Sequence, residues 1–100
     1  MVLDYLRDNL GGDLSLQRLA GLADMSLDGF IRVFKQSMGV PPHQYVLRKR
    51  VERAQALLGN LALSLTEVSL RSGFAHQSHF SRMFHRLIGL TPRQYRNALR

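Results

Sequence analysis

An echo at a fixed distance constrains this chain more than any other property. Phe30 and Phe80, Arg32 and Arg82, Phe34 and Phe84, Gly39 and Gly89, Pro42 and Pro92, and Tyr45 and Tyr95 all stand 50 positions apart. Upstream, Leu16 and Leu65 stand 49 apart, so one residue has been gained between the helices of the second unit. Self-similarity at a fixed period marks an internal duplication, and the fold must therefore contain one small unit twice.

The repeated core reads as a helix. Within Gly73 to Tyr95, residues Phe80, Met83, Phe84, Leu87 and Ile88 recur at i, i+3, i+4, i+7 and i+8, the spacing of one apolar face. Ser78, Ser81, Arg82 and His85 share the same spacing on another face, and each can hydrogen-bond outward. In the first unit Phe30, Val33, Phe34 and Met38 are set against Asp28, Ile31, Arg32 and Lys35. Each helix is anchored on two phenylalanines and presents a second face to a partner.

The remaining punctuation predicts seven helices and no strand. Val2 to Leu10 forms the first, closed by Gly11-Gly12-Asp13. Ser15 caps a short helix through Ala23, with Leu16, Leu19, Ala20 and Ala23 inward. Asp24-Met25-Ser26 is a tight turn, and Ser26 caps the helix from Leu27 to Met38, which Gly39 stops. Pro42 suits a first helical position, and nothing breaks a helix from His43 to Leu58. Leu47, Val51, Ala54 and Leu58 form its buried stripe. Its sixteen positions make a rod of roughly 24 Å, read here as a stiff linker. Ser64-Leu65-Thr66-Glu67 is a capping box opening a helix to about Ser72, and Gly73 fits a left-handed turn position. Thr91-Pro92-Arg93-Gln94 starts a last helix to about Leu99. The expected fold is all-α: homeodomain-like lobes at residues 1–40 and 60–100, joined by a linker helix at 41–59.

Charge indicates the partner. The net charge is +7, unevenly spread. Residues 1–34 hold three Arg against five Asp, whereas residues 35–100 hold eleven Lys or Arg against Glu52 and Glu67. No acid follows Glu67. Such uncompensated positive charge suits a polyanion. With no cysteine there is neither a disulfide framework nor a thiolate metal site. No apolar run approaches the ~20 residues of a membrane span, and no signal pattern is present, so a soluble cytoplasmic chain is expected.

Two short helices joined by a tight turn, the second with an outward polar face, describe a helix-turn-helix. One helix fits the major groove of B-DNA, where donor and acceptor patterns distinguish the base pairs. Arg82 is the leading base reader, because its planar fork can bond guanine O6 and N7 together. Gln77, Ser78 and Ser81 lie in the first turns of the same helix and can reach bases or nearby phosphates. His85 is one turn deeper, toward backbone or solvent. Arg32 holds the matching place in the first unit. There Ile31 would suit a thymine methyl, Asp28 could accept from a cytosine amino group, and Gly29 offers no side chain. Lys35, Arg48, Lys49, Arg50, Arg86 and Arg93 are cast as phosphate partners, which position without reading sequence.

Competing readings bear on the same residues. The four phenylalanines belong to the core, with Tyr45 and Tyr95 at its edge. His76 and His79, at i and i+3, could ligate a metal, but no cysteine or acid lies nearby to complete a site. No nucleophile, base and orienting acid can be assembled, so neither catalysis nor a cofactor is expected. A basic helical module that meets an acidic protein is the rival to DNA binding.

At family level the residues resemble the AraC/XylS transcription regulators. The matching runs are the Leu14–Ser26 opening, Phe34–Tyr45, the Arg50–Leu58 linker and above all Gly73–Tyr95, and the resemblance as a whole covers roughly Leu3 to Tyr95. The resemblance implies a monomeric lobe pair on double-stranded DNA, with recognition helices in two successive major grooves and a modest bend between half-sites. It implies base contacts at Asp28, Ile31 and Arg32, and at Gln77, Ser78, Ser81 and Arg82. Asp28, Gly29 and Ile31 depart from the polar or aromatic residues usual in the family, which bears on the first half-site's specificity. The family mostly activates transcription through RNA polymerase, and most members carry a separate sensor or dimerisation domain, absent from these 100 residues. The chain is then either a fragment of a longer regulator, the favoured expectation, or a small single-domain member.

Overall fold

The computed structural model describes residues 2–10 and 14–99. Within them lie seven α-helices: α1 (Val2–Asp8), α2 (Leu16–Leu22), α3 (Leu27–Met38), α4 (Pro42–Leu58), α5 (Leu65–Arg71), α6 (Gln77–Ile88) and α7 (Pro92–Ala98). No strand occurs among the described residues. None of their helices is long and apolar enough to cross a membrane.

Local chemistry sets the ends. The Ser15 and Ser26 hydroxyls accept from the backbone N–H of Arg18 and Gly29, both at 3.2 Å, and so start α2 and α3. Ser64 with Glu67 and Thr91 with Gln94 form complete capping boxes at α5 and α7. Helices α3 and α6 stop alike. Gly39 (φ +82°) and Gly89 (φ +87°) turn left-handed, and each N–H donates to the carbonyl four residues back at 2.8 Å. Four helices are one or two residues shorter than the sequence suggests. In α1 the ladder ends at Asp8, and Asn9 turns back, its Nδ2 donating to the Tyr5 carbonyl at 2.9 Å. Ala23, Ser72 and Leu99 serve as C-caps rather than last helical residues. The proposed stop at Gly11-Gly12-Asp13 lies outside the described residues.

The described residues group into two compact units that divide inside α4, between Leu47 and Arg48. In the first, Leu6, Leu19, Ala20, Phe30, Phe34 and Val46 make the core, so α4 contributes its opening turns there. In the second, Val51, Ala54 and Leu58 from α4 are buried, as are Leu63, Val68, Phe74, Phe80 and Phe84. Full burial of Phe80 and Phe84 contributes about 1.5–3 kcal/mol apiece.

The duplication is literal at the aromatic centre. Phe30–Phe34 and Phe80–Phe84 have ring centroids 5.7 Å apart in both units. Tyr45 meets Phe34 edge to face at 5.4 Å, and Tyr95 meets Phe84 at the same distance. Those geometries favour the ring quadrupoles. Each tyrosine thus ties α3 or α6 to the helix that follows it.

Candidate nucleic-acid interface

The inward choice of the phenylalanines decides what α3 and α6 show to solvent. Counting about 100° per residue, Phe30, Phe34, Leu27 and Met38 centre on one direction. Val33 falls well to one side and is 40% exposed, although the sequence placed it with the core. Ile31 falls on the opposite border, half-buried and packed on the first unit's core, rather than fully on the outward face. Asp28, Arg32 and Lys35 are exposed. Gly29 has a local reason: a Cβ there would come within 3.0 Å of the Ser26 hydroxyl that caps the helix.

In α6 the outward set is Gln77, Ser78, Arg82 and His85, all exposed, with Ser81 half-buried at the border. Leu87, expected inward, is 41% exposed in the last turn. Arg32 and Arg82 have no hydrogen-bond or ion-pair partner among the described residues, so each guanidinium is available to a ligand. The start of α6 differs from that of α3. His76 is its N-cap and makes no side-chain bond to the helix, so the first amides keep their partial positive charge uncapped. Gln77 is not free: its Oε1 accepts from the Thr66 hydroxyl of α5 at 2.8 Å.

The cations separate by environment. Arg48, Arg86 and Arg93 are exposed. Arg48 lines a shallow groove with Val51, Glu52, Gln55, Leu87 and Ile88, and Arg93 lines another with Leu65, Arg96 and Asn97. Lys49 is paired with Glu52 at 3.2 Å, which offsets part of its charge. Arg50 is half-buried, and desolvation lowers its pKa from the ordinary arginine value.

Two basic residues not cast as DNA contacts, Arg53 on the charged side of α4 and Arg96 in α7, act inside the second unit instead. Arg96 donates from Nε to the Leu58 carbonyl at 3.0 Å and from a terminal nitrogen to the Asn60 carbonyl at 3.2 Å. Those bonds satisfy acceptors at the end of α4, where a cation is also favoured. Arg53 donates to the Arg71 carbonyl at 2.9 Å, joining α4 to the end of α5. Neither contact was marked in the sequence: Arg53 lies before the last turn of α4, and the partners of Arg96 stand 36 and 38 residues away. His79 lies edge-on to Phe74 with centroids 5.7 Å apart. Among the described residues no group of three His, Cys, Asp or Glu side chains could hold a metal ion.

Known proteins share this fold. A family model described as a helix-turn-helix domain matches residues 19–98. A probable transcriptional regulator, LumQ of Photobacterium leiognathi, is 36% identical over 100 residues; the match covers all of this chain and 40% of LumQ. The chain therefore spans less than half the length of that relative. The DNA-binding domain of AdpA, a global transcriptional factor solved with a target DNA, superposes with TM-score 0.95 at 33% identity, covering 99% of this chain and 89% of that one. A regulator from Chromobacterium violaceum described as having an AraC-type DNA-binding domain gives TM-score 0.87 at 30% identity, covering 96% of this chain and 86% of that one.

Proposed function

The chain belongs to the AraC/XylS-type helix-turn-helix domains of bacterial transcription regulators, and on that premise we propose that it reads a promoter duplex, α3 and α6 each lying in the major groove. The observation that supports this most is Arg82 with its counterpart Arg32: exposed, unpartnered, and one position from the border of the same aromatic core in both units. A guanidinium so held can offer two donors to guanine O6 and N7.

The assignment of roles follows exposure. Gln77, Ser78, Ser81 and Arg82 read bases in the second unit. Arg32 and Asp28 read them in the first, where Ile31 offers only its rim to a thymine methyl. Lys35, Arg48, Arg86 and Arg93 hold phosphates, and the open amides of α6 favour one more. Lys49 and Arg50 are the weaker phosphate partners, the one ion-paired and the other half-buried. We cast the domain as a DNA-binding part of a cytoplasmic activator that works by contact with RNA polymerase and acts as a monomer in this form. In this reading it is not an enzyme and needs no cofactor.

Arg82→Ala tests the assignment. The substitution should cost about 1–3 kcal/mol on the preferred duplex and relax selection at one base pair. Binding assays on preferred and random duplexes check it, and equal losses on both would remove Arg82 from base reading.

A further inference from the structure

Gln77 opens α6 and Thr66 is the second residue of α5, so their hydrogen bond crosses the turn within one unit. The Thr66 hydroxyl donates to Gln77 Oε1 at 2.8 Å. That bond leaves the amide nitrogen, with its two hydrogens, as the outward end of the side chain. We propose that Thr66 is a positioning residue that fixes the polarity of Gln77 and makes it a donor to base acceptors. This inference rests on the DNA-binding reading above and adds a specificity element to it.

The chemistry follows from what each base shows in the major groove. A free glutamine pairs with adenine by two bonds at once, accepting from N6–H and donating to N7. The accepting oxygen keeps a second lone pair but is turned toward Thr66 on α5, so presenting both ends of the amide to adenine would require it to rotate and give up that bond. Guanine O6 and N7 and thymine O4 are acceptors and need only the outward nitrogen. Gln77 should therefore favour guanine or thymine at its position and select against adenine.

The duplication supplies an internal comparison. At the matching positions the first unit has Gln17 and Leu27, offset by 49 and 50 residues. Leucine has no group to be oriented, so the device belongs to the second unit alone. Neither Thr66 nor Gln77 is needed for the core, since both side chains are exposed.

Selection from a random duplex pool tests the proposal, with the wild-type chain, Thr66→Val, Thr66→Ser and Gln77→Ala. Valine keeps the shape of threonine without the hydroxyl, whereas serine keeps the hydroxyl. Thr66→Val should gain adenine at one position by about three- to ten-fold relative to wild type, the worth of one net hydrogen bond. Thr66→Ser should keep the wild-type preference. In a Gln77→Ala background Thr66→Val should have no further effect on base choice, whereas a general structural role would still weaken binding. Should Thr66→Val fold poorly by circular dichroism, Thr66→Ala carries the same expectation. An unchanged base preference in both hydroxyl-less variants overturns the proposal. A wild-type pool with no enriched sequence overturns the DNA-binding reading instead.

Discussion

Paired positions in the duplicated units show how single residues meet one geometric demand differently. At the turn before each recognition helix the backbone goes left-handed, at Asp24 (φ +56°) in the first unit and at Gly73 (φ +99°) in the second. Glycine takes that conformation without steric cost, and aspartate is among the few other residues that tolerate it. A second pair exposes a cost. Ala20 in the first unit matches Ser69 in the second, and both are buried. The Ser69 hydroxyl finds no partner among the described residues, whereas buried Ser72 donates to the Val68 carbonyl at 2.7 Å. A buried hydroxyl without a bond loses hydration and gains nothing. Ser69→Ala, copying the first unit, should therefore raise stability by about 1 kcal/mol, read as a higher denaturant midpoint at unchanged slope.

The elements were legible wherever their determinants are local. Ser26, the Ser64–Glu67 box, Thr91-Pro92 and the terminal glycines each act within four residues, and the ends they set match the sequence reading within two residues. Faces were harder. The i, i+3, i+4 pattern admitted Val33 to the core and Ile31 to the outside, because periodicity gives the width of a stripe but not which border the neighbouring helices cover. The packing of α2 and the start of α4 around Phe30 and Phe34 settles that border, and Ile31 is the residue it covers. Contacts across long stretches of chain were not legible at all. Arg96 is 38 residues from Leu58, and nothing in the spacing distinguishes it from the cations cast as phosphate partners. It closes α4 from α7. Arg96→Met, which keeps the aliphatic stem, should cost about 1–2 kcal/mol in thermal or chemical denaturation. The same change should leave base preference alone, a check that separates a helix clasp from a DNA contact.

For the molecule as a whole, charge is divided as sharply as structure. Up to Leu47 there are four Lys or Arg against five Asp, a balance of −1; from Arg48 onward there are ten against two Glu, a balance of +8. On the proposed assignment most of the counterion release on a duplex comes from the second unit, through Arg48, Arg86 and Arg93, with Lys35 adding to it from the first. Arg48→Ala should weaken preferred and random duplexes alike and flatten the plot of log affinity against log salt by about one unit. A basic surface made for an acidic protein would instead show no sequence-dependent affinity in that titration at physiological salt. The twin Phe-Phe-Tyr stacks described above carry one more consequence. Because both interiors share the same three rings at the same spacings, the exposed letters such as Arg32 and Arg82 can change without bearing on those rings. Such a chassis can be re-addressed by rewriting the exterior alone, its inner architecture left as it stands.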